Sequence, residues 1–370
     1  MANRQVTVFF CGDVMLGRGV DQILPYPGDP TLREACVRDA RTYVELAEAV
    51  NGPIPQPVGF SWPWGEALPI LDDFEPDIRM INLETSITRS DAFAPGKAVH
   101  YRMNPENISC LAVLRPDVCA VANNHVLDFG RPGLEETLAA LTGAGLRAVG
   151  AGRDVAAARR PVPCPVDGSG RVLVYSFGMA SSGIPTDWAA APDCAGVDFL
   201  LGPSEAGAAE IADRVQEAKR PGDIVIASVH WGSNWGYGVA PGQERFAHRL
   251  IDAGVDVVHG HSSHHPRPIE IYRGKAILYG CGDFVDDYEG IRGFEEFRDD
   301  LRLMYFVSVE LGTGVLADLS IVPLQARKIR LEHASGADSR WILALLDRIS
   351  HPFGTRVDLD RDGVITAYSG

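Results

Sequence analysis

Val121-Ala122-Asn123-Asn124-His125-Val126-Leu127-Asp128-Phe129-Gly130 is the run from which the rest of this chain can be read. The mostly apolar segment 117–122 has strand length and stops at two amides, an imidazole and a carboxylate. Arg131-Pro132-Gly133 then opens a strongly helical segment at 134–141. Metal-competent side chains between a strand's C-terminal end and a helix sit where α/β folds place their sites. A turn whose Asn and Asp cap the next helix is the competing reading. The run alone does not separate the two.

Other strand ends repeat the pattern. Segment 6–11 stops at Gly12-Asp13-Val14-Met15-Leu16-Gly17-Arg18, and 78–83 delivers Glu84. Segments 172–177 and 224–229 are further buried strands, the second ending in His230-Trp231-Gly232. Segment 255–258 runs into His259-Gly260-His261-Ser262-Ser263-His264-His265, and 276–279 into Gly280-Cys281-Gly282-Asp283-Phe284. Helices are expected at 31–50, 105–114, 204–219, 243–253 and 339–349. Segments 304–311 and 319–322 alternate like strands with one wet face, and Pro323 should end the second. The loop 51–65 carries Phe60, Trp62 and Trp64, either as packing over the core or as a substrate lid.

With 370 residues, 46% hydrophobic and 22% charged, the chain can bury a large core. A net charge of −15 argues against non-specific nucleic-acid binding, which needs a basic surface. Seven cysteines form no CxxC pair and lie mostly in apolar contexts, as buried free thiols of a reducing compartment would. The start, Met1-Ala2-Asn3-Arg4-Gln5, runs straight into an apolar strand with no long h-region, and no run is long enough to span a bilayer. A cytoplasmic location is the expectation. Asp358-Leu359-Asp360-Arg361-Asp362-Gly363 matches the start of an EF-hand loop, but the twelfth position is Ser369, so a hairpin turn is expected.

Six of the ten histidines follow three apolar strands, and Asp13 and Glu84 follow two more. If these ends share one sheet region, imidazole and carboxylate converge in a set suited to Zn, Mn or Fe. The ordered motifs Gly12-Asp13, Asn82-Leu83-Glu84, Asn123-Asn124-His125, His230-Trp231-Gly232, Gly260-His261 with His264, and Gly282-Asp283-Phe284 resemble the CapA family. That family is linked to poly-γ-glutamate capsule synthesis and belongs to the calcineurin-like metallophosphoesterase superfamily. The resemblance spans about residues 6–330 of one domain, 1–370, closed by a helix and hairpin at 331–370. It implies a four-layer α/β sandwich, two mixed sheets between helices.

By this resemblance Asp13 is a ligand of a first metal, Glu84 the bridging carboxylate and Asn124 the amide ligand of a second. His230, His261 and His264 complete the set, and His125 protonates the leaving group. Met15 stands where the superfamily has a histidine, and Ser262 where CapA relatives usually have one. One or two ions are therefore compatible, and His259 rivals His264 as partner of His261. Metal would polarise the substrate and lower the pKa of water, to about 7 for zinc. Asp128 orients the His125 ring or caps a helix, while Arg18, Lys97 and Arg102 are candidates to bind an anion. The implied activity is metal-dependent hydrolysis of a phosphoester or a γ-glutamyl-type amide. The alternative is a non-catalytic accessory protein binding an anionic polymer such as poly-γ-glutamate.

Overall fold

Strand Gln5–Val14 lies at the centre of the larger sheet, and its sequence gives the reason. Val6, Val8 and Phe10 point to one side, where they pack with Val172, Val174, Ile224, Ile226 and Val257 of the second sheet. Phe9 and Cys11 point to the other, into a cluster with Val44, Leu71, Leu111 and Leu134 from helices. A period of two with both faces apolar suits a strand covered on both sides. Strand Ile224–His230 repeats this: Ile224 and Ile226 join the intersheet cluster, while Val225, Ala227 and Val229 meet helix residues Ile211 and Phe246.

The computed structural model describes residues 4–166 and 170–370. Met1 to Asn3, part of the start on which the leader reading rests, lie outside the described residues. The fold is mixed α/β. The ten-stranded sheet runs Thr355–Leu359, Ile365–Ser369, Leu316–Ala326, Leu301–Glu310, Gln5–Val14, Ile78–Leu83, Val118–Ala120, Ala148–Val149, with Asp283–Val285 parallel to Gln5–Val14 and Leu331–His333 on Leu316–Ala326. The seven-stranded sheet runs Phe199–Leu200, Arg171–Met179, Ile224–His230, Val257–His261, Lys275–Leu278, Ile269–Tyr272, with Val162–Pro165 beside Arg171–Met179. Helices Ala67–Phe74, Ile108–Leu114 and Gly130–Gly143 supply residues to the first outer cluster, and Glu205–Ala218 and Pro241–Asp252 to the other.

Several expectations need correction. The helix at 31–50 forms only as Arg41–Asn51. Asp29 accepts from Thr31 N at 2.9 Å, a local turn that competes with helix, and Leu32 N donates to Arg38 O at 2.9 Å. Strand Val257–His261 continues past 258, so His259 and His261 belong to the sheet itself. Pro323 does not end its strand, which reaches Ala326. It falls where the neighbour changes, between pairing at Ile321 and pairing from Leu324, so its missing N–H costs no ladder bond.

The aromatic loop is packing. Trp64 is fully buried with its indole N–H on Cys110 O at 2.7 Å, and Phe60 and Trp62 lie against the same cluster. The C-terminal hairpin forms, and Asp360 accepts from Asp362 N and Val364 N as a turn former. All seven cysteines are free and five are buried. Among the described residues no helix is long and apolar enough to cross a membrane.

Candidate metal centre

Parallel pairing aligns the strand ends. Asp13 sits in register with Asn82 on one side and Asp283 on the other, and His230 is in register with His261. Glycine is required at position 12, because a Cβ there would lie 1.8 Å from the Gly282 carbonyl oxygen. That close approach lets Asp13 N donate to Gly282 O at 2.9 Å. Asn82 Nδ2 then donates to Asp13 Oδ1 at 2.7 Å and so aims the carboxylate. Asn123 braces the opposite wall, donating to Asn82 Oδ1 and Leu83 O and accepting from His125 N and Val126 N.

One oxygen of Asp13 and one nitrogen each of His230 and His261 lie within 4.8 Å of one another, all buried. Asp13, His264 and Asp283 make a second such group, with His264 Nδ1 2.9 Å from Asp283 Oδ1. Glu84 Oε1 is 3.6 Å from His125 Nε2 and 3.9 Å from His230 Nε2, and His230 Nε2 is 3.0 Å from Asn124 Oδ1. The structure thus gathers Asp13, Glu84, Asn124, His125, His230, His261 and His264 in one place. A cleft of about 280 Å³ opens beside them, lined by Glu84, Lys97, Tyr101, Asn124, His125 and His264.

Electrostatics explain what such a cluster demands. Burial pushes the Asp13 carboxyl up to about 7, with Asp283 adding repulsion, and burial raises Glu84 too. Three converging carboxylates in an interior favour either a proton or a cation. Burial holds His230 and His261 well below the usual imidazole range, leaving them neutral and able to ligate. His264 is held up to about 8, because Asp283 outweighs burial. His125 is pulled down to about 4 by burial and by Lys97, against the pull of Asp128.

Asp128 orients the imidazole: its Oδ2 lies 2.6 Å from His125 Nδ1 and accepts from Tyr101 N at 2.7 Å. It does not cap the helix that follows. Lys97 reaches the site, donating to Asp128 and to Asn124 O. Arg18 does not. It is buried in ion pairs with Asp287 and with Glu34 Oε1 (3.0 Å), and its guanidinium lies 3.7 Å from the centre of the Tyr43 ring. Arg102 is also elsewhere, bonded to Asp91 at 2.8 Å and to Ser90 O, in a separate cleft with Thr88 and Asn104. Arg18 stands inside the first motif, but its partner Asp287 lies far along the chain and is not legible from sequence.

His261 and His264 fall in different groups, and His259 in neither. Met15 is buried among apolar side chains. Two residues had no role assigned from sequence. Asp283 repeats the Gly-Asp pattern of Gly12-Asp13 at another strand end, which was its available signal. Tyr101 stacks on the His125 ring at 3.8 Å between centroids and had no local signature.

A family model described as bacterial capsule synthesis protein PGA_cap matches residues 7–288. The chain belongs to this capsule-synthesis family. It is metallophosphoesterase-like in superfamily. A relative in Mycobacterium tuberculosis (strain H37Rv), named probable polyglutamine synthesis accessory protein, is 56% identical over 97% of this chain and 95% of its own length. The PGA biosynthesis protein CapA of Bacillus subtilis is 26% identical over 82% of this chain and 68% of its own. The capsule biosynthesis protein CapA of Bacillus anthracis is 25% identical over 88% and 69%. A divalent ion fits the residues present: neutral imidazoles and crowded carboxylates are a borderline-hard donor set.

Proposed function

We propose that the chain is a metal-dependent hydrolase acting on an anionic phosphoester or γ-glutamyl-type amide, in one domain, 1–370, of four-layer design. The supporting observation is the buried group of Asp13, His230 and His261, with Glu84, Asn124 and His125 at its edge. Asp13, Glu84, Asn124, His230, His261, His264 and Asp283 would hold one or two ions of Zn, Mn or Fe. Such an ion supplies Lewis-acid polarisation of the substrate and activation of water.

The remaining steps belong to side chains. Asp128 holds the Nδ1 proton of His125, so Nε2 faces the cleft and Glu84. His125 is neutral in the free site, and an anion entering beside it raises its affinity for the proton it gives to the leaving group. Lys97 steadies this pair through Asp128 and the Asn124 carbonyl.

A second reading, accessory binding of an anionic polymer in the cytoplasm without hydrolysis, is favoured by the name of the mycobacterial relative. Elemental analysis of the purified protein, followed by a screen of phosphoesters and γ-glutamyl peptides with His125→Ala as control, separates the two. Bound metal and turnover that His125→Ala abolishes are expected. A protein that takes up no divalent ion would sink the hydrolase reading.

A further inference from the structure

A line of hydrogen bonds leaves the metal centre and crosses between the two sheets. His261 Nε2 lies 2.9 Å from Ser228 Oγ, Ser228 Oγ 3.1 Å from His259 Nδ1, and His259 Nε2 2.9 Å from the carbonyl oxygen of Cys11. Ser228, His259 and His261 are fully buried. The first three members sit on adjacent strands of the smaller sheet, and Cys11 is on the central strand of the larger one.

Directions along this line follow from its far end. A carbonyl oxygen only accepts, so His259 must carry its proton on Nε2. The His259 ring packs 4.9 Å from the Phe10 ring centre, and its polar contacts are a carbonyl and a hydroxyl, with no carboxylate. Fully buried between a carbonyl and a hydroxyl, with no carboxylate to balance a second proton, the ring offers a free lone pair on Nδ1. Ser228 has one proton and gives it to that lone pair. Its oxygen then accepts from His261, which must carry its proton on Nε2. The Nδ1 lone pair of His261 is left facing His230 Nδ1 at 2.8 Å and Asp13 Oδ1 at 4.0 Å.

We infer that Ser228 and His259 are positioning residues that lock His261 in the tautomer whose Nδ1 lone pair faces the metal centre, using the Cys11 carbonyl as the reference point. This rests on reading the Asp13–His230–His261 group as a metal site. Hydrogen-bonded outer partners of metal-binding histidines fix ring and tautomer in this way. It also gives His259 a purpose: it stands two residues behind His261 on the same strand face, as a brace instead of a ligand.

Histidine-selective 15N labelling of the chelator-treated protein reads the tautomers directly. His259 and His261 are both expected neutral with the proton on Nε2; a proton on Nδ1 of His261 overturns the inference. Calorimetric titration of Zn²⁺ and Mn²⁺ then compares wild type, Ser228→Ala and Ser228→Thr. Loss of the hydroxyl should weaken binding about 10- to 100-fold, and threonine, which keeps the hydroxyl, should restore it. Unchanged affinity in a folded Ser228→Ala protein overturns the inference. Should Ser228→Ala not fold, the wild-type spectrum decides alone. A wild type that binds neither ion removes the functional reading, while the spectrum still reports on the tautomer.

Discussion

Met15 shows how a single side chain can mislead about a whole site. The resemblance puts it in the place of a superfamily ligand, yet it is buried in the apolar cluster and its N–H is bonded to Val285 O at 2.8 Å. The acidic group that joins Asp13 and His264 instead comes from Asp283, on the strand paired at Asp13's other side. Asp283→Asn should therefore lower the metal content of the purified protein, counted by mass spectrometry, while Met15→His should not raise it. The histidine would also leave a polar ring in an apolar pocket, at a cost of about 1–3 kcal/mol in a denaturant melt. Arg18 belongs to the same lesson. Removing it with Arg18→Ala leaves Asp287 and Glu34 buried without their partner, and such losses run about 3–5 kcal/mol. The midpoint of urea unfolding checks this; a shift under about 1 kcal/mol would contradict the buried ion pair.

At the scale of elements, the strand ends were legible because each apolar run stops abruptly at chemistry. Ile78–Leu83 ends as expected, and helix 204–219 appears as Glu205–Ala218 with Ser204 capping Gly207 N. What was not legible depended on partners far along the chain. The segment before Arg41 has helical composition, but Asp29 and Thr31 turn it locally. Pro323 is tolerated only because two different strands flank it. The split of His261 from His264 needed the register of Asp283 against Asp13. Element junctions also carry pH sensitivity. Asp223, which accepts from the Arg171 guanidinium and from Arg220 N, is held below the usual carboxylate range; burial opposes this, and the bonds outweigh it. A depressed folded pKa stabilises above the unfolded value of about 3.9 and is lost as pH falls through the folded one. Thermal melts of wild type and Asp223→Asn should therefore differ at pH 6 and draw together as the pH falls below about 3.9. A gap that stays constant however far the pH is lowered would contradict the assignment.

Over the whole molecule, the two sheets share one interior, and the candidate ligands are divided between them. Asp13 and Asp283 come from paired strands of the larger sheet and Glu84 from just past the next one, while His230 and His261 come from the smaller sheet. Phe10→Ala, which removes a fully buried ring between the sheets, should cost about 3–5 kcal/mol and also weaken metal uptake. Lost stability with unchanged metal affinity would mean that the sheets do not move the ligands. The Cys11 carbonyl that receives His259 is a main-chain atom, and this has a consequence for how the protein can be altered. No side-chain replacement at position 11 deletes that acceptor; a change there reaches the ligand line only by moving the buried strand. Binding and folding are then thermodynamically linked. An ion at a hundredfold excess over its Kd would add about 2.7 kcal/mol to the folded state, and starvation for that ion would be felt first as protein turnover.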